Sequence, residues 1–541
     1  MNRQDARAAL WGSVGFALLL GAAVYAPRLP TQGGLGTKAK DDGLCSATPR
    51  LLESLRSPIS IDAYVTLGTP KMDAFAKDLD KLLQQYQKAA PDKVVVRLID
   101  ARDEQARLAA KEGGLMEMML GEEEDDTDVE EPVIHKGFAG VVLKYRATQD
   151  SIKALAPEDT NGLEFWITSK IREMHAREDH AGYKIAVATG HGETPLRTPD
   201  LVPRQAGTSV NLEGIMNQNF PFYAFSNADL TKDGPEPGTV GLLLTQPTAD
   251  FTDEELSRID DYVMKGHSLV VAASAVNVKP SDPTMTFSLN AHGLPKLLAS
   301  YGITMNEDLI LDLHHSFSIK MPNQAGQLSS MKLSFLPITY ASDKSPDASF
   351  LDKTAAIFFN MESLPVPFAS SLTIDKSKQS AATFHVLAKT SAESARLSKG
   401  GALWPSMPSG EGVHSAAIVA ASVEGVLTSA FGHGKSAKTA RVLVLSSGSM
   451  FASPLARAAN APDQPGQGTM MVLPPTDDTL SQMAMPYAQQ DLTQVILSFK
   501  NSLDWMAADE DFAKCAGKLI EKSDDQPKKK PKTGSPKRQN Q

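Results

Sequence analysis

The chain has 541 residues, too many for one ordinary hydrophobic core, so two or three domains are expected. Hydrophobic residues make up 42% and charged residues 22%, the balance of a folded protein, and a formal charge of -10 argues against nucleic acid as the main partner. The charge is uneven: nine acidic residues fall between Glu117 and Glu131, and six basic ones between Lys528 and Arg538.

From Ala9 to Ala26, eighteen uncharged residues follow Arg3 and Arg7. At about 1.5 Å per residue, a helix of that length crosses the hydrocarbon layer of a bilayer once. A cleaved signal peptide is the competing reading. Val24 and Ala26 suit a cleavage site, but Pro27 directly after it would hinder processing, so an uncleaved anchor is expected, with its basic end inside and the rest exported. Residues 1–27 therefore read as a cytoplasmic tip and transmembrane anchor, and residues 28–50, rich in Gly, Thr, Lys and Asp, as a tether. The cysteines are Cys45 and Cys515. In an oxidising compartment they could pair and tie the two ends together, with two unrelated thiols as the alternative; their spacing excludes a cysteine-based zinc site.

Residues 51–180 read as a first domain. Ile59, Ile61, Ala63 and Val65 alternate with Ser60, Asp62 and Tyr64, the period of a strand, while Phe75, Leu79, Leu82, Leu83 and Tyr86 recur at helical spacing and Pro91 closes that helix. The run KVVVRLID from Lys93 is a second strand, and 104–114 a short helix. A strand, crossover helix and strand of this length form a parallel unit. This order resembles the start of a thioredoxin-like domain, but Leu67, Gly68 and Thr69 stand where a redox Cys-x-x-Cys would follow the first strand. The acidic stretch lacks the ligand order of a calcium loop and reads as a solvated insertion. A strand resumes over 140–145, and the helix over 163–175, with Leu163, Trp166, Ile167 and Ile171 on one face, closes this domain or bridges to the next.

A larger, mostly parallel α/β domain is expected over 181–522. It opens with YKIAVATGHGE from Tyr183 to Glu193, an apolar run that ends in Gly190, His191, Gly192 and Glu193. Open α/β sheets bind ligands at the carboxyl ends of their strands, so these four residues are the candidate contacts for a ligand or partner. A His changes charge near neutral pH and a Glu beside it can orient or accept a proton. The alternative is that the glycines shape the turn while both side chains bond to local backbone. Further on, a helix is expected over 211–219, strands over 221–227 and 239–247, and a helix capped by Thr252 with Glu255 three residues later and closed by Gly266. A strand over 268–274 and a helix over 292–301 follow; the pattern loosens over 322–346, and short strands at 356–359, 371–374 and 383–388 suggest a partly antiparallel insertion. Strands over 416–431 and 440–446 and a helix over 494–506 complete the domain, and residues 523–541 read as a disordered basic tail that could touch anionic head groups or envelope polymers.

Several enzyme signatures are missing. GHGKS at 432–436 has Ser429 where a phosphate loop needs its first glycine, and a strand rather than a helix follows, so it reads as a hairpin turn. No Gly-x-Ser-x-Gly elbow occurs and no cysteine lies between Ser46 and Lys514 to act as nucleophile. His314 and His315, or His175 and His180, lack the one-turn spacing of a helical zinc site. No catalytic residue, metal or cofactor is expected.

The anchor, PISIDAYVTLGTP with its helix and KVVVRLID, the VATGHGE loop, GLLLTQPTADFTDEELSRIDDYVMKGHSLVVAA, VEGVLTSAF, ARVLVLSSGSMF and SLDWMAADEDF occur in this order along the chain. Together they resemble the auxiliary subunit of gliding-motility-type ABC transporters, the GldG-like family. The resemblance covers most of Ser57 to Lys514. It implies a non-enzymatic, single-pass subunit of the inner membrane whose bulk is periplasmic and which works beside a separate permease and a separate ATPase by binding partners or substrate. Two features depart from the family: Ser446, Ser447 and Ser449 stand where an acidic residue is usual, and the basic stretch from Lys528 to Arg538 stands where a further membrane span is common. A cell-envelope hydrolase or a glycan-binding scaffold using the GHGE loop is the alternative function.

Overall fold

The computed structural model describes residues 43–120, 135–155, 163–197, 211–278, 282, 284–322, 328–341, 348–359, 361–404, 408, 410, 412–451, 494–509, 511–512 and 515. The expected anchor at 9–26, most of the acidic stretch and the basic tail lie outside them. No described helix is long and apolar enough to cross a membrane.

The first unit is built on the alternation of strand β1 (Ile59–Val65), whose Ile59, Ile61, Ala63 and Val65 face one core. Helix α1 (Ala47–Ser54) precedes it, starting inside the stretch expected to be tether, because Leu52 and Leu55 have that same core to fill. Helix α2 (Pro70–Ala89) lies on that face with Met72, Phe75, Leu79, Leu83 and Tyr86. Its start is set by Thr69, whose side chain accepts from the Met72 N–H, and by Pro70, which costs no hydrogen bond in the first turn. Strand β2 (Val94–Asp100) pairs parallel with β1, and helix α3 (Glu104–Glu112), capped by Asp103, follows. Strands β3 (Ala139–Tyr145) and β4 (Thr148–Ile152) complete a sheet in the order β2-β1-β3-β4, with both added pairs antiparallel. Strand β4, TQDSI, escapes pattern reading because it has a single apolar residue; its hydrogen bonds to β3 define it.

Helix α4 (Leu163–Asp179) belongs to both halves of the molecule. Leu163, Ile167, Ile171 and Met174 enter the first core, whereas Phe165 enters the core of the second unit. A helix apolar on two sides is buried between two bodies. It closes one and is part of the other.

In the second unit, strands β5 (Tyr183–Thr189), β6 (Tyr223–Asp229), β7 (Thr239–Leu244), β8 (Ser268–Ala272), β9 (Ile418–Gly425) and β10 (Ala440–Leu445) belong to a ten-stranded sheet. Five of them run parallel in the spatial order β6-β5-β7-β8-β10. From β9 outward the sheet is antiparallel and takes in Phe350–Leu351, Leu372–Ile374, Thr383–Lys389 and Ile303–Met305. The sheet is thus half parallel rather than mostly so, because the chain between Tyr301 and Ile418 adds four strands to it; the same stretch also forms separate antiparallel sheets, Leu309–Asp312 with Ser394–Leu397, and Ser316–Pro322 with Leu328–Tyr340 and Ser363–Pro365, in keeping with the expected antiparallel insertion. Helices α5 (Leu212–Asn219), α6 (Asp253–Met264) and α7 (Leu294–Ser300) pack with it.

Two expectations need correction. Residues expected as a strand at 356–359 form a 3-10 turn, Ala356–Phe358, because Ile357 and Phe358 are both buried, which a strand with one solvent face does not allow for neighbours. The loosened stretch holds a thirteen-residue strand, Leu328–Tyr340, paired with Ser316–Pro322; Leu336 and Pro337 interrupt its alternation and hide it. The GHGKS segment is a turn between β9 and β10, closed by the Ser429 N–H donating to the Gly434 carbonyl at 2.8 Å. Finally, helix α8 (494–506) is buried from Val495 to Met506 on every side, including Lys500 and Asp504.

Candidate functional site

Five parallel strands in the spatial order 2-1-3-4-5, numbered along the chain, reverse direction of winding between β5 and β7, and ligands of such sheets bind in the crevice outside the carboxyl ends at that point. Here the crevice is bordered by Gly190–Glu193 after β5 and by residues 245–252 after β7. Glycine is needed at both positions of the first loop. Gly190 has φ +117° and a Cβ there would lie 2.8 Å from Thr231 Cγ2, while Gly192 has φ +69° and a Cβ would lie 2.1 Å from Thr248 Oγ1. This close approach lets the His191 carbonyl accept from the backbone N–H groups of Thr248 at 2.8 Å and Ala249 at 3.0 Å.

His191 points inward and is 4% exposed. Its Nδ1 is 3.3 Å from Glu193 Oε1 and its Nε2 is 3.1 Å from Glu255 Oε2. Glu193 bends back so that its Oε2 accepts from the His191 N–H at 2.7 Å. On the far side, Glu255 completes a capping box at the start of α6, accepting from the Thr252 N–H at 2.6 Å and from its hydroxyl at 2.7 Å. The imidazole lies against the Phe251 ring, centroids 3.9 Å apart. With a carboxylate facing each nitrogen, both edges of the ring are occupied from within the protein. Burial pushes the Glu255 carboxyl up, but the N–H and hydroxyl of Thr252 and the imidazole outweigh it, so its pKa is lowered overall.

A second histidine holds the same segment from its other end. His292 Nδ1 is 2.8 Å from Asp250 Oδ1 and its Nε2 is 3.0 Å from Asn277 Oδ1. The Asn277 amide is oriented by donating to the carbonyls of Ala275 at 3.0 Å and Asn290 at 2.9 Å, and the His292 carbonyl accepts from the Phe251 N–H at 3.0 Å. Open space lies beside this assembly. A cleft of about 200 Å³ is lined by Thr189, Glu193, Arg197, Glu213, Phe225 and Asn227, with Arg197 bonded to Glu213 at 2.7 Å.

The structure therefore brings together Gly190, His191, Gly192 and Glu193 with three residues that pattern reading assigned no site role, Thr248, Phe251 and Glu255. Thr252-x-x-Glu255 is legible as a cap; the reach of Glu255 to a histidine 64 positions earlier is not. Elsewhere, Cys45 and Cys515 form a disulfide, Cα atoms 5.6 Å apart. Among the described residues, the one group of three ligand-type side chains close enough to share an ion is Cys45, Glu164 and Cys515, and its sulfurs are joined to each other.

Comparison with known proteins extends this picture. Residues 43–139 match the model of a domain of unknown function, DUF7088. An uncharacterized protein of Borreliella burgdorferi is 20% identical over 281 residues, 51% of each chain, so the chain spans about half the length of that curated relative. Among solved structures, the mmIFT52 N-terminal domain overlays 50% of this chain and 87% of its own, with 13% identity and a TM-score of 0.28, a superposition too loose to speak for the fold. The model of the ABC-type uncharacterized transport system covers residues 183–477, more than half of the chain, and the protein belongs to that family of ABC transport auxiliaries.

Proposed function

We propose that the protein is a membrane-anchored, extracytoplasmic auxiliary subunit of the GldG-like kind, which works by binding beside a separate permease and ATPase. An accessory role in an ABC transport system follows from the family. The observation that carries a binding role is the filled crevice: at the place where sheets of this winding admit ligands, His191 and Phe251 pack against each other and both imidazole nitrogens face carboxylates. That packing also speaks against an envelope hydrolase using the GHGE loop. The first unit is read as thioredoxin-like because of its order β2-β1-β3-β4 with one parallel pair, and the absence of cysteines after β1 leaves it a binding module. The eighteen uncharged residues from Ala9 supply the anchor, and the Cys45–Cys515 disulfide suits an oxidising, periplasmic location.

Affinity purification of the full chain from detergent-solubilised membranes is expected to recover a multi-span permease and a nucleotide-binding subunit. Recovery of neither would end this reading.

A further inference from the structure

The last described residues run as a strap across the junction of the two units. After α8, Ala508 turns the chain with φ +54°, and the Asp509 N–H donates to the Asp504 carbonyl at 2.8 Å. Asp509 and Asp511 are then held by Arg50 of α1 at 3.4 and 3.1 Å, and Asp509 by Arg172 of α4 at 2.8 Å. Phe512 covers the Arg172 guanidinium, 4.2 Å from its ring centroid, while Phe222 lies on the guanidinium at 4.1 Å. Phe512 also meets Phe165 and Phe222 at 5.6 and 5.9 Å. Beyond it, Cys515 is bonded to Cys45, directly ahead of α1.

Arg172 is a cation within an aromatic box formed by Phe222, Tyr183, Tyr223 and Phe512. Three walls come from the second unit's sheet and the segment leading into it, and the fourth is the strap. A cation desolvated among aromatic faces gains from each wall, and the strap also brings the Asp509 carboxylate to the guanidinium. The docked strap and the buried cation therefore stabilise one another. What fixes the strap's far end is a covalent bond that a dithiol can open.

We infer that Ala507, Ala508, Asp509, Asp511, Phe512 and Cys515 belong to a disulfide-buckled strap, closed over the Arg172 face of α4 when Cys45 and Cys515 are joined and released from it when they are reduced. In the opening step a dithiol gives two electrons and two protons to the disulfide, leaving two cysteine thiols and the oxidised cyclic dithiol. Arg172 and the rings of Phe165, Phe222 and Tyr183 then become accessible, while the parallel strands are untouched because none of their ladder bonds involves the strap. In an oxidising compartment the strap is shut; before oxidation it is open.

The test is hydrogen exchange by mass spectrometry on the intact purified chain, before reduction, after reduction by a dithiol, and after reoxidation, with thiol alkylation verifying each state. Amides of 163–175 and 505–512 are expected to exchange at least about tenfold faster on reduction, with β5, β8 and β10 unchanged and protection restored on reoxidation. Complete reduction without a change at 505–512 overturns the inference, and so does loss of protection throughout the chain, which would make the bond a global staple. Asp509→Asn, with the disulfide intact, should raise exchange in 507–512 by a smaller factor; no effect on exchange would show that the aspartate does not hold the strap.

Discussion

At the residue scale the protein is defined by polar and charged groups taken out of water and matched there. His191 lies between Glu193 and Glu255, and Arg172 between aromatic rings and two aspartates. Such groups destabilise a fold strongly if one partner is removed, because a buried polar group without its mate bears its full desolvation cost. The pKa of Glu255 is lowered in the fold despite burial, so the stability it supplies is present above the ordinary carboxyl pKa and is lost as pH falls through the lowered folded value. Glu255→Gln should therefore cost about 1–3 kcal/mol at neutral pH and flatten part of the acid limb. Urea unfolding midpoints at neutral and acid pH check this; an unchanged acid limb would show that the capping box and His191 do not hold the carboxylate.

At the element scale, α8 is the unusual piece. A helix buried on all sides is normally apolar throughout, yet this one carries Lys500 and Asp504 one turn apart, their Nζ and Oδ2 at 2.5 Å. Burial pushes the Lys500 ammonium pKa down, opposed by the facing carboxylate. The Asp504 carboxylate also accepts from the Tyr223 hydroxyl and faces Arg172 at 3.7 Å, so the helix is fixed in rotation about its axis by one charged row. Replacing one partner, as in Asp504→Ala, should cost about 3–5 kcal/mol, whereas exchanging both in Lys500→Met/Asp504→Leu should cost less than the sum of the single changes. A double-mutant cycle by denaturant unfolding measures the coupling, and additive losses would mean the pair does not act as a unit.

At the scale of the whole molecule, the two units share α4 rather than merely touching. Leu163, Ile167, Ile171 and Met174 belong to one core while Phe165 belongs to the other, and the strap binds α1 and α4 together with Tyr183 of β5. Neither core is complete without that helix. Heating the oxidised protein in a calorimeter should therefore give one cooperative transition for both units, with matching van't Hoff and calorimetric enthalpies. Two well-separated transitions would mean that α4 does not couple them.

The sequence by itself determined the local elements of this protein wherever a single face had to be buried. The alternation of Ile59 to Val65, the helical spacing from Phe75 to Tyr86 and the Thr252-x-x-Glu255 cap each specify their own conformation through side-chain period or a reach of three residues. Where both faces are buried, or where a strand is held by its neighbour's backbone, period carries no signal, which is why β4 and the Leu328–Tyr340 strand were illegible and why the strands expected at 371–374 and 383–388 could not be assigned to the large sheet. Only the tertiary structure decided that His191 closes its own crevice against Phe251 and Glu255, and that residues far apart in the chain buckle across Arg172. Those contacts arise from the order of strands in a sheet, and long-range pairing leaves no trace in the spacing of one segment.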